Sequence, residues 1–264
     1  MLETTGTYLL LGAFAGTVAG LLGVGGGLII VPVLVYMFHR QHFSSPLIIH
    51  LAVGTSLATI VMTAISSVRA HHRRGAVRWA VFRQLVPGIV LGALLGSQLA
   101  EWMPASVLRR FFAIFEWLVA LQLFIGLRPR ASHDLPRLPA MLGVGGVIGT
   151  VSSLVGIGGG SLTVPFLVWS RLRIQEAIAT SSACALPIAI AGAAGFVATG
   201  WNHAGLPAYS LGYVYLPAFL GIVVASVVFA PLGARLAHRL PAQALRRFFA
   251  IFLTMLGFYM YLRH

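Results

Sequence analysis

The sequence predicts an all-α polytopic membrane protein built from two homologous four-segment repeats. Three observations predict it. Of 264 residues, 58% are hydrophobic and 9% charged, whereas a soluble domain carries about 25% charged residues. The apolar runs exceed the ~18–20 residues needed to cross a bilayer. One phrase is also written twice. "GTVAGLLGVGGGLIIVPVLV" over 16–35 returns as "GTVSSLVGIGGGSLTVPFLV" over 149–168, an offset of 133.

Other landmarks repeat in the same order. "GTS" (Gly54–Ser56) faces "ATS" (Ala179–Ser181), and "LRRFFAIF" occurs at both 108–115 and 245–252. The first repeat spans 1–127, with apolar segments near 7–37, 46–68, 80–100 and 108–127. A polar linker covers 128–138 in "LRPRASHDLPRLP". The second repeat spans 139–264, with segments near 139–169, 176–198, 211–233 and 244–262.

The opening segment of each repeat is broken by three consecutive glycines, Gly25–Gly27 and Gly158–Gly160, followed by Pro32 and Pro165. Glycine costs about 1 kcal/mol against alanine in a helix interior. Irregular backbone at membrane depth is tolerated only where protein or a watery cavity satisfies it.

Two topologies follow, distinguished by arginine. If each broken segment spans the membrane, nine of the 18 arginines fall on either side. If each is a re-entrant hairpin, Arg40, Arg109, Arg110 and Arg263 lie on the N-terminal side and the other 14 opposite. The second has the bias of the positive-inside rule. It leaves three crossings per half, so the halves are inverted. Arg69–Arg83 and the linker are then cytoplasmic, and both termini lie outside. The basic stretch 67–83 against its uncharged partner 198–209 points the same way.

From Leu28 to Met37 is about 15 Å of helix, half the ~30 Å hydrocarbon thickness. The broken ends are therefore expected near the midplane. A helix N-terminus presents unpaired N–H donors and about half a positive charge, a natural anion site. The candidate substrate-binding residues are Gly25, Gly26, Gly27, Gly158, Gly159, Gly160 and Ser161, whose hydroxyl Leu28 does not match. A Cβ at Gly26 or Gly159 is expected to block the anion or force a φ that alanine avoids. The alternative is that the glycines only permit close helix crossing.

Hydroxyl clusters at Thr55 and Ser56, and at Thr180, Ser181 and Ser182, either line the substrate path or join helices. Glu116 lies within the 108–127 segment. An intramembrane carboxylate suggests proton coupling, with pairing to arginine as the alternative. Its counterpart is Leu253, so it is not part of the duplicated pattern. Cys184 reads as a packing residue, and Trp201, Asn202 and His203 as an interfacial anchor.

Several function classes are excluded. The net charge is +13, and all 18 basic residues are arginines, nearly all between or at the ends of apolar runs, which argues for a bilayer partner and against nucleic acid. One cysteine allows neither a disulfide nor a cysteine metal site. No histidine falls at catalytic spacing within a span, and without lysine there is no P-loop. No enzyme, cofactor or metal is expected. Glu3 before the first apolar run argues against a cleaved signal peptide.

"GLLGVGGGLIIVPVL", "SLVGIGGGSLTVPFL", the "GTS" and "ATSSA" segments and "GWNHAGLP" resemble the sulfite exporter TauE/SafE family, also called the 4-toluene sulfonate uptake permeases, over essentially the whole chain. The resemblance implies a multi-pass bacterial inner-membrane permease for sulfite, organosulfonates or other small organic anions, with Gly25–Gly27 and Gly158–Gly160 matching the family motif. It leaves substrate, direction, coupling ion and oligomeric state open. The expected activity is secondary transport of a small anion by alternating access, with a passive anion channel and, behind it, an intramembrane enzyme as the alternatives.

Overall fold

The computed structural model describes residues 2–22, 26–126, 134–237 and 242–262. They are almost wholly helical, because in lipid a helix satisfies every backbone group within its own segment. The first half contains α1 (Leu2–Leu22), α2 (Gly27–Arg40), α3 (Ser45–Arg73), α4 (Trp79–Trp102) and α5 (Ala105–Ile125). The second contains α6 (Leu138–Val155), α7 (Gly160–Trp169), α8 (Ile174–Gly200), a strand pair β1 (Ser210–Leu211) and β2 (Val214–Tyr215), α9 (Leu216–Ala237) and α10 (Ala242–Leu262). Among the described residues, α3, α4, α6 and α8 are long and apolar enough to span a bilayer.

Each opening segment divides where the glycines predict. The prolines are not at the breaks. Pro32 and Pro165 each lie inside the helix that follows, where a proline leaves the carbonyl four residues earlier without its helical donor. The segment near 211–233 starts differently from the sequence expectation. Ser210 and Leu211 pair antiparallel with Val214 and Tyr215, and the helix begins only at Leu216. Positive φ at Tyr209 and Gly212 sets this turn.

The helices pack through small residues. In the seam of α4 and α6, Gly88 meets Leu142, Gly92 meets Gly146 and Gly96 meets Thr150, so the two helices run parallel. Thr150 Oγ1 donates across it to the Gly92 carbonyl at 3.0 Å. A second parallel seam joins α1 to α9, with Tyr8 on Gly221, Gly12 on Ile222 and Gly16 on Ser226. Ser226 Oγ donates to the Gly12 carbonyl at 3.1 Å. With lipid outside, close backbone approach and such hydrogen bonds replace the hydrophobic drive between helices, each bond contributing about 0.6 kcal/mol.

The centre belongs to α3 and α8. Gly54 lies against Phe196 and Leu57 against Gly192, so these helices run antiparallel. Leu51, Ala52, Val53, Leu57, Ile188 and Phe196 are fully buried there. On the flank, Trp117 of α5 donates its indole N–H to the Thr254 carbonyl of α10 at 3.3 Å and rests over Gly257. The outward faces are apolar, as at Leu91, Leu118, Leu220 and Met255.

Two contacts locate the ends of the short helices. Gln41, just past α2, donates its Nε2 to the Tyr8 hydroxyl in the early turns of α1 at 2.7 Å. Arg171, just past α7, pairs with Asp134, ahead of α6, at 3.1 Å.

Candidate functional site

The site is assembled where the two glycine breaks meet. At Gly27, the first residue of α2, an added Cβ would fall on the Gly156 carbonyl oxygen and touch Ile157. That carbonyl also accepts a hydrogen bond from Ser56 Oγ of α3 at 2.8 Å. Gly156 in turn packs on Val31 and Val53. The second break is enclosed on three sides. Gly158 lies against Ala185 of α8 and Ile60 of α3, and Gly159 against Ile188 of α8 and Ser152 of α6.

The two breaks differ in conformation. Gly159 precedes α7 with φ 73° and ψ 2°, in the left-handed region. Its repeat equivalent Gly26 precedes α2 with φ −74° and ψ −6°, an ordinary helical conformation. Gly159 thus holds a φ that alanine avoids, and Gly26 does not. An alanine methyl at Gly26 would approach only the tip of Ile30, at 3.1 Å, and the Ala15 carbonyl, at 3.5 Å.

They differ in chemistry as well. Around the second break, the hydroxyls of Ser152, Ser153, Ser161 and Thr163 are buried with no hydrogen-bond partner among the described residues. The equivalent positions at the first break are Ala19, Gly20, Leu28 and Ile30. Sequence reasoning picked out Ser161 and missed Ser152, Ser153 and Thr163. The available signal was the departure of one copy from the other within the duplicated phrase.

The remaining candidates fall into separate places, and Gly25 lies outside the described residues. Thr55 Oγ1 accepts from the Tyr215 N–H at 2.9 Å, and Thr180 Oγ1 from the Arg78 N–H at 3.0 Å. These pairs are equivalent by the repeat, so each threonine braces the start of a helix. Ser182 donates to its own helix at the Ile178 carbonyl, 2.9 Å away, while Ser181 is buried on α8. Glu116 is fully buried on α5, with neither carboxylate oxygen hydrogen bonded to a described residue. Cys184 is buried and free. Trp201, Asn202 and His203 are exposed.

A charged cluster lies at the start of α8. Glu176 Oε1, near the start of α8, receives both Arg78 and Arg173 at 2.7 Å. Tyr215, the repeat counterpart of Arg78, instead makes aromatic contacts, edge-on to Tyr8, Phe38 and Phe43. Burial raises the phenol pKa values of Tyr213 and Tyr215, and Glu101 adds to the rise at Tyr213. The groove between α4 and α6 faces outward and is lined by Leu91, Leu95, Leu142 and Val147. Its one hydroxyl, Thr150, already donates to Gly92. No group of three or more histidine, cysteine or acidic residues gathers among the described residues.

The known proteins to which this chain is similar are probable membrane transporters. A probable membrane transporter protein of Haemophilus influenzae is 38% identical over 256 residues, covering 97% of each chain. One of Methanocaldococcus jannaschii is 25% identical across 96% of this chain and 94% of its own. One of Bacillus subtilis is 26% identical across 90% and 92%. No solved structure matches the chain. The family model described as sulfite exporter TauE/SafE matches residues 8–260. With apolar helices of spanning length and a family match over nearly its whole length, this multi-pass membrane protein belongs to the sulfite exporter TauE/SafE family.

Proposed function

We propose that the protein is a secondary transporter of the bacterial inner membrane that moves a small anion, sulfite or an organosulfonate, by alternating access around the two glycine breaks. The observation that carries this reading is the contact of Gly27 with Gly156 and Ile157, which brings two interrupted helices together beside the antiparallel α3 and α8. Discontinuous helices meeting between two repeats are where secondary transporters hold their substrate. The buried hydroxyls of Ser152 and Ser161 and the free amides at the start of α7 suit an anion.

The two repeats, 1–127 and 139–264, are inverted in this reading. Supporting it, α3 and α8 are repeat equivalents and run antiparallel. In addition, α1 runs parallel to α9, the equivalent of α4. The Gln41–Tyr8 and Arg171–Asp134 contacts support re-entrant hairpins for α1–α2 and α6–α7. Cysteine labelling in a Cys184→Ala background tests the orientation. Arg73→Cys and Ala204→Cys both place a thiol at an exposed position. An impermeant maleimide should label Ala204→Cys in intact cells and Arg73→Cys only in inverted vesicles. Labelling of both from one face would refute inversion.

Proteoliposomes test the mechanism. An imposed proton gradient should drive labelled sulfite or a small sulfonate above its equilibrium level, which a channel does not do. Glu116 is the proposed proton carrier, as a buried carboxylate of the apolar helix α5 with no partner among the described residues. Glu116→Gln should abolish proton-driven accumulation while anion binding persists. Full accumulation by that variant would assign Glu116 to packing.

A further inference from the structure

Resting on the anion-transport reading, we infer that the oxyanion is held at the second break alone, by the first amides of α7 together with the hydroxyls of Ser152 and Ser161. The first break serves as a packing joint.

Ser152 is completely buried and its hydroxyl has no partner among the described residues. That hydroxyl lies 3.1 Å from the point where a Cβ on Gly159 would stand, so it faces the cap of α7. Ser161 adds a second buried, unpartnered hydroxyl one residue inside the helix. In the first turn, the Leu162 and Thr163 amides bond back to the Gly159 carbonyl. The Gly160 and Ser161 amides make no backbone bond to a described residue outside the helix. Buried hydroxyls left unpaired cost stability, and several together point to a guest that pairs them. Hydroxyl and amide donors at the start of one helix suit a compact oxyanion, whose oxygens accept several bonds at once.

The first break offers none of this. Its counterparts to Ser152 and Ser161 are Ala19 and Leu28. Space at Gly27 is taken by the protein's own Gly156 carbonyl, which is held in place by Ser56. The duplicated backbone thus carries one binding end and one docking end, and the docking end positions the loop that precedes the other.

The test uses the full chain in detergent, with melting curves and calorimetric titration of sulfite and methanesulfonate. The variants are Ser152→Ala, Ser161→Ala and Ser161→Thr. Losing an unpaired hydroxyl should leave the ligand-free melting temperature unchanged or higher. Each alanine variant should bind about tenfold or more weakly, the loss expected for one hydrogen bond to a charged ligand. Ser161→Thr keeps the hydroxyl and should bind close to the parent. Parent-like binding by both alanine variants would overturn the inference and leave the transport reading standing. So would a lower ligand-free melting temperature with ligand binding retained, which marks a structural role. Loss of binding in Ser161→Thr as well as in Ser161→Ala would also overturn it. If sodium chloride, against potassium chloride, produced the stabilisation that Ser152→Ala removes, the hydroxyls would hold a cation and the inference would fail. A parent that binds no tested anion would defeat the transport reading itself.

Discussion

Gly159→Ala will abolish anion transport, whereas Gly26→Ala will transport at close to the parental rate. The two glycines are equivalent in the duplicated phrase, so the contrast comes from their environments. At Gly159 an alanine must hold φ near 73°, which costs an L-residue about 1–2 kcal/mol. Its methyl would stand 2.6 Å from Ile188 and 3.1 Å from the Ser152 hydroxyl. Overpacking of that kind adds about 1–3 kcal/mol. It also fills the space before the first amides of α7. At Gly26 the backbone is already helical, and alanine there lowers the entropy of the unfolded chain, a gain of about 0.4–1 kcal/mol at a compatible site. Transport in proteoliposomes, read beside melting curves of the same preparations, makes the comparison. Equal loss at both positions would mean that the two breaks serve alike.

Gly92→Leu will prevent the protein from folding to a monodisperse species in detergent. In the parallel seam of α4 and α6 a Cβ at Gly92 coincides with the Gly146 carbonyl and lies 2.9 Å from the Gly146 Cα. Both obstacles are backbone, so no rotamer change relieves the overlap and the two helices must separate along their length. The Thr150–Gly92 hydrogen bond is lost with them. The cost is at least about 3 kcal/mol, a large part of the ~5–15 kcal/mol by which a folded protein is stable. Gly143→Ala is the control. It lies on α6, yet nothing stands within 4 Å of an added Cβ, and it should elute as the parent does. Monodisperse Gly92→Leu would show that the seam yields without consequence.

Composition was enough to place the chain in a membrane, because 9% charge leaves too little polar surface for a water-soluble body of 264 residues. The glycines located both helix breaks to within a few residues, since a run of glycines weakens a helix locally. Duplication and family were equally legible, being properties of the letters. Other features were not. The strand pair at Ser210–Tyr215 depends on positive φ at Tyr209 and Gly212, and tyrosine gives no local warning of it.

The partner of each helix was hidden as well. Gly12 meets Ser226 Oγ across 214 residues, and Ser56 meets the Gly156 carbonyl across 100. Such pairings are chosen by which small-residue surfaces fit when all the helices are present. The sequence also presented Gly26 and Gly159 as one feature written twice. Identical letters encode the same flexibility and do not encode its use. The sequence by itself determined that two glycine breaks exist and that one is flanked by Ser152 and Ser161 where the other has Ala19 and Leu28. Only the tertiary structure decided that one break adopts the left-handed conformation beside an unpaired hydroxyl while the other closes on a carbonyl. The physical reason is that a glycine takes whichever backbone conformation its packed neighbours stabilise.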